Sequence, residues 1–267
     1  MEGYVGRLAL VTGAGDGIGA MLARRLAAEG MRVCVADIRA EAARRVAEAI
    51  GPAAQPLVFD VSDREACVGA AQQLKAEQGE LAVLWANAGV GVGAGLLRCS
   101  ADTANWAFGV NVLGLLWTAQ AFVPLMVAVD GPCHFGVTAS TASLRPPEGD
   151  FPLYATTKHG TLAIAEGLRG ELQPLGIDST ILCPGLLSTQ IWDGAKARPS
   201  RYGGPKRMDA AVGERWSAAQ RPEVLWPAIR RCIAGGGGYL VCDTEATGIE
   251  DVVRRHADAL AAAVVRY

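Results

Sequence analysis

Tyr154 and Lys158 stand four residues apart in Tyr154-Ala155-Thr156-Thr157-Lys158. On a helix that spacing puts both side chains on one face. A free tyrosine titrates near ~10 and is a poor base at neutral pH. An ammonium about 5 Å away, at an effective dielectric of about 20, is worth roughly 3 kcal/mol. The expected result is a phenol lowered by about two pH units, able to act as general base in oxidation and general acid in reduction. Ser140 closes an apolar run, His134 to Ser140, and its hydroxyl could hydrogen-bond a substrate oxygen and stabilise charge there. Thr141 and Ser143 compete for that role. Asn111 is a polar residue inside a long uncharged stretch, where a buried amide is either structural or functional. His159 lies off the Tyr–Lys face and receives no role. No His, Asp or Glu cluster has ligand spacing, so no metal is expected.

A second group handles phosphate. Thr12-Gly13-Ala14-Gly15-Asp16-Gly17-Ile18-Gly19 joins an apolar run to an amphipathic one. Glycines permit a tight turn and close backbone approach, and a helix N-terminus offers N–H groups to a pyrophosphate. A glycine-rich turn alone is weak evidence; its position between strand and helix strengthens it. Asp37 ends the next apolar run, with Ile38 after it. A carboxylate there can accept from the ribose hydroxyls of NAD and repel the 2′-phosphate of NADP. Arg39 could hold a 2′-phosphate, which weakens NADP without removing it.

These residues need a scaffold. Leu8–Thr12, Arg32–Asp37, Pro56–Asp60, Leu81–Trp85, His134–Ser140, Asp178–Cys183 and Gly238–Cys242 read as strands. Helices are expected over Gly17–Gly30, Glu41–Ile50, Asp63–Gly79, Ala104–Val129, Tyr154–Leu175 and Ile249–Val265. Apolar strands alternating with helices argue for a parallel sheet covered on both faces. Right-handed crossovers make it doubly wound, an α/β class of about seven strands. No linker or repeat divides the 267 residues, which read as one domain. The long irregular stretch 186–216 reads as a lid.

Composition narrows the partners. Hydrophobic residues are 51% of the chain, enough for a large core, and the net charge is −2. That balance offers no basic field for nucleic acid or anionic membrane. Seven dispersed cysteines without a CxxC pair read as reduced thiols in a cytoplasmic protein. The N-terminus shows no secretory signal pattern. Trp106 to Val129 is uncharged and long enough to span a membrane. Asn111, Thr118, Gln120 and Pro124 interrupt it, so a helix buried in the fold or a subunit interface is expected.

At this point the chain resembles the classical short-chain dehydrogenase/reductase family. The glycine turn matches its TGxxxGxG pattern. Asp60-Val61, Asn87-Ala88-Gly89, Asn111, Ser140, the Tyr154/Lys158 pair and Pro184-Gly185 follow in the family's order. The resemblance implies a Rossmann-type fold. It implies that Asp60 and Val61 flank an adenine, and that Asn87, Ala88 and Gly89 line the cleft under adenosine and ribose. Pro184, Gly185, Leu187 and Thr189 would hold the nicotinamide end. Lys158 would also bind the nicotinamide ribose, and Asn111 would position a water linking it to solvent. Equivalent helices pair between subunits in this family, implying a homodimer or homotetramer. The lid carries Trp192, Tyr202, Met208 and Trp216, suited to closing over a small-molecule substrate that is bulky and apolar, with Leu144 and Phe151 as the opposite wall. Arg198–Gly203, with the Tyr239 strand and the closing helix, is similar to bacterial members acting on benzylic alcohols. A steroid or terpenoid alcohol fits as well.

The expected activity is hydride transfer between NAD and a secondary alcohol or ketone. An NADP-dependent ketone reductase and a cofactor-sensing protein that lost catalysis are the alternatives. A sensor has no need of Asn111, Ser140, Tyr154 and Lys158 together. A sugar-nucleotide epimerase would need more chain after Gly185.

Overall fold

The computed structural model describes residues 1–127, 129–145, 151–206, 218–242, 248, 250–251 and 254. Its centre is one sheet of seven parallel strands, in the order β3-β2-β1-β4-β5-β6-β7. The strands are β1 (Leu8–Thr12), β2 (Arg32–Asp37), β3 (Ala54–Val58), β4 (Val83–Ala86), β5 (Cys133–Thr138), β6 (Ile177–Pro184) and β7 (Gly237–Cys242). Every residue of β1 is buried, because helices cover both faces. Leu8 and Leu10 point into one core layer, and Ala9 and Val11 into the other. This is the Rossmann-type doubly wound fold expected from the strand–helix alternation.

Helices α1 (Gly17–Ala28), α2 (Ala40–Ile50) and α7 (Trp226–Ala234) bury Leu22, Val46 and Ile229 on the second face. Helices α3 (Arg64–Gln78), α4 (Ala101–Phe108), α5 (Gly114–Val127) and α6 (Pro152–Leu172) cover the first, with Leu74, Trp106, Phe122 and Ala165 in its core. Strand order reverses between β1 and β4, opening a crevice at the carboxyl ends of the strands. The glycine turn, Asp37, Asp60, Asn87 and Ser140 each follow or end a strand at that same edge.

Several expected boundaries move. The third strand begins at Ala54 and ends at Val58, so Phe59 and Asp60 belong to the following loop. The fourth runs Val83–Ala86, and the fifth stops at Thr138, leaving Ser140 free of the ladder. The helix expected over Ala104–Val129 begins at Ala101 and is broken by a π turn, Gly109–Leu113, that carries Asn111. Its most apolar 18-residue stretch has a mean hydropathy of 1.6 and is 44% buried within the single chain, and Phe108, Leu113 and Val127 face outward. Helix α7 was not expected. The closing helix over Ile249–Val265 lies largely outside the described residues.

Candidate active site

The crevice holds a cavity of about 620 Å³. At one end lies the glycine turn. Asp16 caps α1, accepting from the Gly17 N–H. Gly17 has φ +53°, a left-handed conformation that suits glycine, and a Cβ there would stand 2.9 Å from the Thr189 side chain. Gly19 does not border the cavity. A Cβ at Gly19 would fall 2.2 Å from the Gly13 carbonyl, so this glycine lets α1 pack onto the turn. Gly13, Asp16, Gly17 and Ile18 do border it.

Asp37 is buried and held by three donors. Its Oδ2 accepts from Gly15 N at 2.9 Å, and its Oδ1 from Arg39 N at 2.9 Å and Arg39 Nε at 3.2 Å. Ile38, Asp60, Val61, Ala88 and Gly89 line the same region. Asn87 also lines it, and its amide is consumed in support. Its Nδ2 donates to Thr12 O at 3.1 Å, and its Oδ1 accepts from Thr138 Oγ1 at 3.0 Å. Thr138 in turn accepts from Trp85 Nε1 at 3.0 Å. This chain ties β1, β4 and β5 together beneath the cavity floor. A rigid turn of backbone N–H groups, a helix N-terminus and a fixed carboxylate suit the pyrophosphate and ribose of a dinucleotide.

At the other end Ser140, Tyr154 and Lys158 share one wall. Lys158 is buried; its Nζ donates to Thr138 O at 3.1 Å and stands 5.9 Å from the Tyr154 ring centre. The electrostatics differ from the expectation of a lowered phenol. Burial pushes Tyr154 up to about 12, with the Ser140 hydroxyl pulling the other way. Burial also draws Lys158 down to about 8. Desolvation dominates both shifts, because burial disfavours the charged form of each group. Tyr154 in the free cleft is a protonated phenol, a donor by default.

The competition for the serine role narrows. Ser143 turns inward, donates to Ser140 O and does not border the cavity. Thr141 does border it. Asn111 lies behind the wall rather than in the cleft. Its Nδ2 donates to Val90 O at 3.0 Å and Thr157 Oγ1 at 2.9 Å, and its Oδ1 accepts from Val90 N at 2.8 Å. It borders a second void of about 10 Å³, shared with Thr12, Thr118, Thr138 and Thr161, near the lower limit for one water.

Pro184, Gly185, Leu187, Thr189, Phe151 and Trp192 line the cavity as expected. Leu144 does not; it packs against the first core layer. In the stretch expected as a lid, Ile191–Ala197 and Ser200–Tyr202 form 3₁₀ turns, while Met208 and Trp216 lie outside the described residues. The stretch is strapped to the loop that follows β3. Arg201 Nη2 donates to Asp60 Oδ2 at 2.7 Å and Ser62 Oγ at 2.9 Å. Arg198 is buried 5.3 Å over the Trp106 ring. Among the described residues no group of three His, Cys, Asp or Glu gathers as metal ligands would.

The arrangement is that of a dinucleotide oxidoreductase, and comparison with known proteins agrees. Residues 7–199 match the family model for short chain dehydrogenase, and the chain belongs to that family. It is 28% identical over 250 residues to the C alpha-dehydrogenase of Sphingobium sp. (strain NBRC 103272 / SYK-6), covering 90% of this chain and 82% of that one. It is 34% identical over 219 residues to the 1-deoxy-11-beta-hydroxypentalenate dehydrogenase of Streptomyces exfoliatus, covering 79% of each. A short chain dehydrogenase/reductase from Burkholderia phymatum, solved in complex with NAD, superposes with a TM-score of 0.87 at 27% identity, covering 100% of this chain and 99% of that one.

Proposed function

We propose that this chain is an NAD-dependent dehydrogenase that interconverts a secondary alcohol and its ketone, preferring bulky apolar substrates. The observation that carries this reading is the placing of Ser140, Tyr154 and Lys158 on one wall of a cavity whose far end holds Asp37 and the glycine turn. The residues fit the cofactor. A side chain at Gly17 would crowd the cradle, and Asp37 would offer the ribose hydroxyls a carboxylate. Bound nicotinamide supplies the hydride acceptor or donor.

The chain's own residues do the rest. The Ser140 hydroxyl accepts from Ala142 N at 3.1 Å and bonds Tyr154, so that its proton can turn to a substrate oxygen placed beside them. Tyr154, protonated in the free cleft, gives its proton to that oxygen in reduction and takes it back in oxidation. Lys158, anchored by Thr138, contributes positive charge beneath the phenol and replaces its proton. Phe151, Trp192 and Leu187 supply apolar walls, and the strapped lid excludes water. The hydroxypentalenate in the name of one relative fits this class of substrate.

The reading extends to assembly and location. The outward Phe108 and Leu113 favour a homodimer or homotetramer, and seven free thiols fit a cytoplasmic protein. A panel of secondary alcohols with NAD, followed by NADH absorbance, tests the activity. Aryl or alicyclic alcohols should exceed 2-propanol by about 100-fold in kcat/KM. Best activity on short polyols would refute the substrate class. Cofactor binding without turnover of any alcohol would favour the sensor.

A further inference from the structure

Charges lining the cavity can be accounted for one at a time. Asp16 caps α1, and Asp37 is paired with Arg39. Asp60 is paired with Arg201, and Asp193 with Lys196. Lys158 is bonded to the Thr138 carbonyl. Arg145 is left. It lines the cavity, is half-buried, and makes no hydrogen bond or ion pair with a described residue. A guanidinium cannot shed its proton to escape partial burial, so it awaits an anion.

The place of Arg145 says which anion. It lies five positions beyond Ser140, just past the 3₁₀ turn Thr141–Ser143. Arg145 lines the same cavity as Ser140 and Tyr154. The apolar surfaces of Phe151 and Trp192 line the same cavity. A guanidinium in a cavity with apolar walls matches a carboxylate held by two parallel N–H bonds.

Resting on the dehydrogenase reading above, we propose that the substrate is a hydrophobic hydroxy acid. Its ring packs between Phe151 and Trp192, its carbinol meets Ser140 and Tyr154, and its carboxylate pairs with Arg145. The charge fixes which end of the ring faces the reacting centre, so Arg145 is a specificity-determining residue.

The test compares meta- and para-carboxyphenyl ethanols with their methyl esters, measuring NADH formation by the wild type, Arg145→Gln and Arg145→Lys. One acid should exceed its ester by at least about tenfold in kcat/KM, chiefly through KM. Arg145→Gln should lower that acid-to-ester ratio by about tenfold, and Arg145→Lys should keep part of it. The ratio is internal to each variant, so loss of folded protein cannot imitate the effect. Esters used as well as both acids, or a preference that survives Arg145→Gln, would overturn the proposal. Absence of turnover with acids and esters alike would overturn it too. Failure of every secondary alcohol in the panel would instead place the fault in the dehydrogenase reading.

Discussion

Replacing Asp37 with Asn keeps the shape of the side chain and removes its charge. A carboxylate offers about four acceptor positions. Three are taken by Gly15 N, Arg39 N and Arg39 Nε, which leaves about one for a ribose hydroxyl. Converting that charge-assisted bond to a neutral one costs NAD about 1 kcal/mol. For NADP the balance is reversed. A phosphate charge about 4 Å from the carboxylate, at an effective dielectric of about 20, is opposed by about 4 kcal/mol. Arg39 Nε, at 3.2 Å, offsets part of this. If it offsets half, the substitution returns about 2 kcal/mol to NADP. Together these move the NAD-to-NADP ratio of kcat/KM by about 3 kcal/mol, or about 100-fold. The assay is initial rate with each cofactor at one fixed alcohol concentration. Added salt should narrow the wild-type discrimination more than that of Asp37→Asn. A wild type that uses both cofactors equally, or a ratio that moves less than about threefold, would refute the electrostatic argument.

Tyr154→Phe removes the transferable proton and keeps the ring; kcat should fall by at least about 100-fold while NAD binding by fluorescence titration persists, and near-normal turnover would contradict the mechanism. Lys158 titrates at about 8 when folded against 10.5 when free, so between those values the unfolded chain holds the extra proton and stability rises with pH. Lys158→Met has no such proton, so its stability advantage over the wild type in urea unfolding should shrink from about pH 8 to about pH 10; a constant difference would show that Lys158 is not desolvated. Light scattering at micromolar concentration should report a dimer or tetramer, and Leu113→Glu should shift it toward monomer; a wild-type monomer would remove the interface.

Residues set by local rules were readable in the chain. Gly17 needs a left-handed turn and Asp37 ends a buried strand, and each leaves a mark in composition or period. Tyr154 and Lys158 share a helix face through spacing alone. What escaped reading depends on contacts distant in sequence. Nothing around Thr138 announces that it links Trp85, Asn87 and Lys158. The π turn at Asn111 is set by bonds from its side chain to Val90 and Thr157, and the period of apolar residues runs through it unbroken. The shift of Tyr154 was misjudged because spacing shows a neighbouring charge but not the depth of burial. Leu144 was placed by adjacency to Ser140, and the 3₁₀ turn rotated it into the core.

The Arg201–Asp60 contact joins two points 141 residues apart and ties the segment after β6 to the loop after β3, whose Asp60 lines the cavity. On the proposed reading, a dinucleotide bound beside Asp60 would leave past this strap, and each turnover would end with the ion pair breaking. Dissociation of the reduced cofactor then competes with chemistry as the slow step. Such an enzyme shows a burst of NADH in the first turnover and a small steady-state effect when the carbinol hydrogen is deuterium. Ionic strength weakens exposed ion pairs, so salt speeds release and the isotope effect grows as release ceases to mask the hydride step.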